Sequence, residues 1–234
     1  MKKLYKAFKR GFDFICALIL LILLSPIMII VSIAIKLDSK GPVFFKQVRS
    51  GKNNKLFYMY KFRSMAANND VLNFKEADKT TRVGKFIRKT SLDEIPQLIN
   101  ILKGEMSFIG PRPWIPEYSK YFTKEQKHRL DVLPGITGLA QCEGRNGISI
   151  YEKIDFDIKY VNEISLRMDF YIIFKTIYTV FSGKDAVGNK DIIRNELDDL
   201  KQQFNGEFLK KKNKDKKVEN TDKQGENVYA ESVI

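Results

Sequence analysis

The chain has 234 residues, enough for one domain with a sizeable core and appendages, and it carries no internal repeat. Forty-one Lys and Arg against 28 Asp and Glu give a formal net charge of +13, which favours an anionic partner: phospholipid, nucleic acid or a phosphorylated substrate. Cys16 and Cys142 are far apart, match no metal or redox spacing and argue against a disulfide framework; the single histidine, His128 in "KEQKHRL", has no Ser or Cys constellation and reads as part of a solvated face.

The first predicted element is apolar. No residue from Phe14 to Ile35 is charged, which clears the roughly 20 residues of a spanning helix. Lys2, Lys3, Lys6, Lys9 and Arg10 precede it, as in a secretory signal, but the run is long for such a segment and no small-x-small cleavage site follows. Ser25-Pro26 falls at its midpoint, where proline removes a helix hydrogen bond and clashes with the carbonyl four residues back. Both flanks are basic, with Lys36, Lys40, Lys46 and Arg49 on the far side, so charge bias names no outside end. A helix–break–helix hairpin that dips in and returns keeps both flanks in the cytoplasm, with the freed carbonyls met by the Ser25 hydroxyl or by neighbouring protein. A kinked spanning helix accounts for the same residues, and both alternatives stay open at this point. Asp13, at the mouth of the run, is expected to pair with Arg10 or a nearby lysine.

A β-hairpin follows, with Val43–Val48 and Leu56–Phe62 as strands and "SGKNN" as the turn. Residues 66–81 are polar and read as loop with some helix. Ile95, Leu98, Ile99 and Leu102 form one helical stripe closed by Gly104. "GEMSFIGPRPWIP" is a loop, "PEYSKYFTKEQKHRLDVL" a helix, and "PGITGLAQCEGRNG" a second loop with tight-turn glycines. Ser149 to Phe181 reads as one or two amphipathic helices with Tyr160, Val161, Ile164, Phe170, Ile173, Phe174 and Ile177 as apolar positions, suited to a core or a membrane interface. Beyond Gly206 the chain is lysine-rich and nearly free of core residues, as in a disordered tail that touches anionic lipid.

The chemistry concentrates in "KTSLDEIPQL". Ser91 and Glu94 have the spacing of a capping box, but Pro96 would then fall deep in the helix. A helix starting near Asp93 or Glu94 puts Pro96 in the first turn and both carboxylates at the positive helix end. Basic residues recur around the pair: Lys61 and Arg63 end the hairpin, Arg82, Lys85, Arg88 and Lys89 precede it, and Arg112 ("GPRP") and Arg145 ("EGRNG") follow on rigid loops. Arginine suits bidentate phosphate contacts. A carboxylate can attack a phosphoryl group if charge is neutralised, and arginine or Mg²⁺ can do that.

The stretches "KFIRKTSLDEIPQLINILKGEMSFIGPRP", "VFFKQVRSGKNNKLFYMYKFRSM", "LPGITGLAQCEGRN" and the membrane "SP" closely resemble the bacterial sugar transferase family, in particular its small monotopic phosphoglycosyl transferases, from about Lys9 to about Phe181. The resemblance implies transfer of a sugar 1-phosphate from a UDP-sugar to undecaprenyl phosphate, with release of UMP, at the start of surface glycan assembly. It implies a ping-pong route in which Asp93 attacks, Glu94 is tied to Mg²⁺, and Arg88, Arg112, Arg145 and Lys61 stand near the phosphates; Asp157 and Asp169 occupy familiar acidic positions without assigned roles. It also implies a re-entrant helix broken at Ser25 and Pro26, tipping the topology toward dip-and-return. The expected fold is α+β and mostly helical: a re-entrant membrane helix over 1–38, a cytoplasmic catalytic domain with a β-hairpin and amphipathic interfacial helices over 39–206, and a tail over 207–234. The expected setting is the cytoplasmic membrane with inner-leaflet lipids as partners; a homodimer is one option among several oligomeric states. The rivals are a non-catalytic membrane-bound anion-binding protein, a phosphatase using the same acidic pair, and a nucleic-acid binder, for which no recognition module is present.

Overall fold

The computed structural model describes residues 2–66, 80–144, 148–182 and 196–206. Helix α1 (Lys2–Asp38) runs as one continuous helix with Pro26 in its interior, so the break expected at Ser25 and Pro26 does not interrupt the helix. Proline leaves the carbonyl four residues back, that of Ile22, without its donor. Ser25 Oγ donates to that carbonyl at 2.8 Å, so the serine hydroxyl replaces the missing N–H, as the sequence suggested. One face of α1 is packed along its length: Ala17, Leu20, Leu21 and Leu24 lie against Leu98, Ile101 and Met106, while Val31 and Ile35 lie against Phe62 and Ile87. The other face exposes Phe12, Ile19, Ile22, Leu23, Ile30 and Ile33.

The polar stem of α1 is tied down as well. Asp13 pairs with Lys9 at 3.7 Å and accepts from Ser107 Oγ at 2.7 Å, so the expected partner is a lysine and not Arg10. Arg10 instead donates to the carbonyls of Ile101 (2.7 Å) and Leu102 (3.3 Å). At the far end, Arg63 caps α1 by donating to the carbonyls of Lys40 (2.6 Å) and Ser39 (2.8 Å).

Strands β1 (Phe44–Ser50) and β2 (Leu56–Phe62) form the expected antiparallel hairpin, in register from Phe44↔Phe62 to Ser50↔Leu56. Its turn uses Asn53 and Asn54 at φ 54° and 60°, a backbone region asparagine tolerates. Of the polar 66–81 segment, residues 67–79 lie outside the described residues, as does the 207–234 tail. Helix α2 (Arg82–Lys89), to which the sequence reading gave no element, is capped by Thr81 Oγ1 accepting from Gly84 N at 3.0 Å. Gly84 is required there: a Cβ would stand 1.9 Å from the Ser64 carbonyl oxygen.

Helix α3 (Gln97–Lys103) ends at Gly104 in the left-handed region, φ 80°, as expected. Both Pro/Gly loops contain short structure instead of pure loop. β3 (Ser107–Ile109) pairs in parallel with β4 (Gly135–Thr137), and α5 (Leu139–Glu143) follows. The single helix expected over 116–133 is broken into α4 (Pro116–Ser119) and a 3₁₀ turn, Gln126–Leu130. Thr123 and Gln126 exchange side-chain-to-backbone bonds, Thr123 N to Gln126 Oε1 at 3.0 Å and Gln126 N to Thr123 Oγ1 at 3.2 Å. Such local bonds compete with the helix ladder.

Helices α6 (Ile150–Glu163), opened by a Ser149–Glu152 capping box, and α7 (Leu166–Ser182) complete a mostly helical α+β fold with two two-stranded sheets among the described residues. The apolar stripe expected across them divides. Tyr160, Val161 and Ile164 join the core with Ile172, whereas Phe170, Ile173, Phe174 and Ile177 are exposed. A further helix at 196–206 seats Leu200 among Phe122, Ile150 and Ile154.

Candidate active site

Asp93 and Glu94 share one 3₁₀ turn, Leu92–Glu94, between α2 and α3. Helix α3 starts at Gln97 with Pro96 as its N-cap at φ −61°, where the missing N–H does no harm. The acidic pair therefore precedes the helix and does not occupy its first turn. Ser91 is no cap: it sits at φ 57°, ψ 15° and makes no side-chain bond to the turn. A left-handed serine costs on the order of 1 kcal/mol or more and persists only where its surroundings hold it.

Asn100 fixes the helix that follows the acidic turn. Its Nδ2 donates to the Tyr58 carbonyl and to Glu105 Oε2, each at 2.7 Å, and its Oδ1 accepts from Tyr60 N at 3.0 Å. A buried amide satisfied on both ends locks α3 to β2. The next residue of β2, Lys61, is thereby set beside the acidic turn. Lys61 Nζ lies 2.5 Å from Glu94 Oε1 and 3.8 Å from Asp93 Oδ2, and Arg112 Nη2 lies 3.1 Å from the same Glu94 oxygen.

The two carboxyls are held in different electrostatic states. Burial pushes Glu94 up, but the charges of Arg112 and Lys61 and their hydrogen bonds outweigh it and hold the group down at about 2. Burial also pushes Asp93 up; Lys61 opposes this more weakly, the Glu94 charge adds to it, and the net result is a raised pKa. Lys61 is lowered by burial and by Arg112, against the pull of both carboxylates. One carboxylate is thus a fixed anion and its neighbour a more basic one, only loosely paired.

Of the basic residues expected here, Lys61 and Arg112 contact the pair, and Arg88, exposed at the end of α2, lowers Asp93 through its charge. Arg63 is turned away to cap α1, and Arg82, Lys85 and Lys89 are exposed on α2. Arg145 lies outside the described residues. Two arginines were missed. Arg49, read as a membrane flank, donates from Nη1 to the Pro113 carbonyl at 3.3 Å; burial and the nearby Arg112 charge bring its guanidinium down to about 10. The signal was strand periodicity, since Phe45 pairs with Lys61 and Arg49 stands two pairs along the same face. Arg129, in a segment read as an ordinary helix, is buried against Asp157.

A divalent cation fits this donor set only if it is shared with a substrate. Among the described residues no three His, Cys, Asp or Glu side chains form a ligand group. Both ion pairs of Glu94 use Oε1, which leaves Oε2 outside them. Magnesium commonly takes one or two carboxylates and completes its shell with phosphate oxygens and water.

Comparisons with known proteins give the family. The sequence model of the family described as bacterial sugar transferase matches residues 4–183. The uncharacterized sugar transferase EpsL of Bacillus subtilis is 42% identical over 174 residues, 74% of this chain and 86% of that protein. The UDP-N-acetylgalactosamine-undecaprenyl-phosphate N-acetylgalactosaminephosphotransferase of Aeromonas hydrophila is 42% identical over 193 residues, 78% of this chain and 46% of its own length. The UDP-glucose:undecaprenyl-phosphate glucose-1-phosphate transferase of Klebsiella pneumoniae is 42% identical over 191 residues, 76% of this chain and 41% of its own. The match therefore spans less than half of these two longer relatives. By family match and by identity over most of its length, the chain belongs to the bacterial sugar transferase family.

Proposed function

We propose that the protein moves a sugar 1-phosphate from a UDP-sugar to undecaprenyl phosphate, releasing UMP, at the start of glycan assembly. The observation that carries the reading is the unequal acidic pair. Glu94 is held ionised by Lys61 and Arg112, while Asp93 is more basic than an ordinary aspartate and stands 3.8 Å from the lysine. In the proposed route an Asp93 carboxylate oxygen attacks the β-phosphorus of the donor. The bond from that phosphorus to the bridging oxygen breaks, UMP leaves with the electron pair, and an aspartyl phosphosugar remains. A phosphate oxygen of undecaprenyl phosphate then attacks the same phosphorus and expels the Asp93 carboxylate, so the enzyme is regenerated. Arg112, Arg88, Lys61 and Arg145 would offset the charge of two approaching anions. When bound, Mg²⁺ would be held by Glu94 together with donor phosphate oxygens and would neutralise diphosphate charge.

The packing of α1 supports the dip-and-return topology at the cytoplasmic face. Near its start, Tyr5 and Lys9 reach Asp169 on α7 at 2.7 and 2.9 Å; at its end, Asp38 Oδ2 accepts from Val83 N of α2 at 2.9 Å. A helix that crossed the bilayer could not keep both ends on one body lying on one side. The exposed Phe170, Phe174, Ile177 and Tyr178 give α7 an apolar face suited to the lipid interface.

The test is a UMP-release assay on purified full-length protein with a panel of UDP-sugars and Mg²⁺. We expect about one UMP per enzyme without acceptor and repeated turnover once undecaprenyl phosphate is added. Repeated turnover without acceptor would make the protein a hydrolase, and no UMP with any donor would leave a non-catalytic anion binder. For topology, cysteines placed at Lys3 and Lys40 should both be labelled from the cytoplasmic side; opposite sides would refute the hairpin.

A further inference from the structure

The segment from Pro111 to Trp114 presents Arg112 to Glu94, and it cannot organise itself. Pro111 and Pro113 have no backbone N–H, so the segment has little means of building its own hydrogen-bond ladder. Instead, all four of its carbonyls are taken by donors from elsewhere. Gly135 N donates to Pro111 O at 3.0 Å, Arg129 Nη2 to Arg112 O at 2.8 Å, Arg49 Nη1 to Pro113 O at 3.3 Å, and Ser50 N to Trp114 O at 2.9 Å. The bond to the carbonyl of Arg112 itself comes from Arg129.

Arg129 is built to make that bond in one place. Its side chain is 1% exposed, its guanidinium lies 3.9 Å over the Trp114 ring, and its Nε and Nη2 both donate to Asp157 Oδ2, at 3.0 and 2.7 Å. Nη2 is therefore shared between the Asp157 carboxylate and the Arg112 carbonyl. Among the described residues Asp157 Oδ1 is buried without a partner, so the pair is not arranged to saturate the carboxylate. A buried ion pair of this kind adds little stability over an apolar replacement of the same shape, but its planar fork fixes direction in a way a hydrophobic contact does not.

We propose that Arg129, oriented by Asp157, is a positioning residue for Arg112: it locks the backbone of the proline-flanked loop so that the Arg112 guanidinium meets the donor phosphates. This rests on the reading of Arg112 as a phosphate contact. Arg129 touches no substrate, and its influence passes through one carbonyl. A shift of about 1 Å in a group aimed at reacting atoms can lower a rate about 10²-fold.

The experiment is a double-mutant cycle on the full-length protein, with kcat/KM for the UDP-sugar donor as the readout and thermal unfolding of every variant as the folding control. Arg129→Lys keeps the charge and loses the fork; Arg112→Ala removes the group it is held to serve. We expect Arg129→Lys to lower kcat/KM about tenfold or more in the wild-type background and less than about twofold in the Arg112→Ala background. If the two losses multiply, Arg129 acts on the whole fold and the proposal falls, while the assigned role of Arg112 stands. If Arg112→Ala alone leaves kcat/KM unchanged, the phosphate-contact reading fails, and the proposal with it. Should Arg129→Lys not fold, Asp157→Asn, which keeps volume and leaves Arg129 in place, carries the same cycle with the same expected non-additivity.

Discussion

Among the described residues, two places hold a pair of carboxylates sharing one lysine, and they have opposite characters. Under the stem of α1, Lys9 lies 2.9 Å from Asp169 and 3.7 Å from Asp13; ahead of α3, Lys61 lies 2.5 Å from Glu94 and 3.8 Å from Asp93. In the first cluster every carboxylate oxygen is spoken for: Tyr5 and Lys9 on Asp169 Oδ2, Tyr160 on its Oδ1, Ser107 and Lys9 on the two oxygens of Asp13. In the second, Asp93 Oδ1 and Glu94 Oε2 lie outside the ion pairs, and exposed Arg88 and Arg112 stand beside them. The same side-chain chemistry fastens the apolar helix α1 in one place and leaves two carboxylate oxygens outside the ion pairs in the other. In the proposed function, the carboxylate oxygens outside the ion pairs supply a nucleophile and a metal ligand, and the adjacent arginines offset phosphate charge.

The largest expected break in this comparison is Asp93→Ala, which should lower sugar-phosphate transfer about 10³-fold or more while thermal unfolding stays close to wild type. Its counterpart reverses the pattern. Asp169→Ala strands Lys9 and two tyrosine hydroxyls in the core and should destabilise the protein by about 3–5 kcal/mol, read by denaturant unfolding, with activity per folded molecule retained.

Glu94→Gln should lower kcat about 10²-fold, because the fixed anion that organises Lys61 and Arg112 is gone. The pH profile sharpens the same point. Asp93 attacks only when ionised, and its pKa is raised by burial and by the Glu94 charge. The acid limb of kcat/KM should therefore turn over above the ordinary aspartate value of 3.8, with activity complete above the raised pKa and lost as pH falls through it. In Glu94→Gln the residual activity should show that limb displaced to lower pH, since one raising charge is removed and Lys61 is freed for Asp93. The smallest expected effect is that of His128→Ala: the ring is exposed and, among the described residues, bonded only to exposed Asp131, so stability should stay within about 0.5 kcal/mol of wild type.

How much of this could be read from the sequence depended on how local each cause was. The hairpin announced itself through runs of aromatic and β-branched residues and a Ser-Gly-Lys-Asn-Asn turn, and the Ser25 hydroxyl beside Pro26 named its own acceptor. Lys61, Arg112 and the acidic pair stood out as charges on rigid segments, and the structure brings all four together. What escaped was non-local. β3 and β4 are three residues each, flanked by Gly and Pro, and exist only because they pair across 28 positions, Ser107 with Gly135. Arg129 and Asp157 find each other over the same kind of separation, and neither carries a local mark of burial. Ser91 was readable as a cap because nothing in four residues reveals that the chain enters the left-handed region there. The exposed α7 stripe kept two readings for a similar reason: periodicity shows that a face is apolar, not what lies against it.

The most direct measurement is intact-protein mass spectrometry after incubation of the full-length protein with its UDP-sugar and Mg²⁺, without acceptor. The account predicts an added mass of one sugar phosphate, located on Asp93, absent in Asp93→Ala and discharged by undecaprenyl phosphate. Transfer to undecaprenyl phosphate at the wild-type rate by Asp93→Ala, or turnover with no adduct at any time, would contradict it.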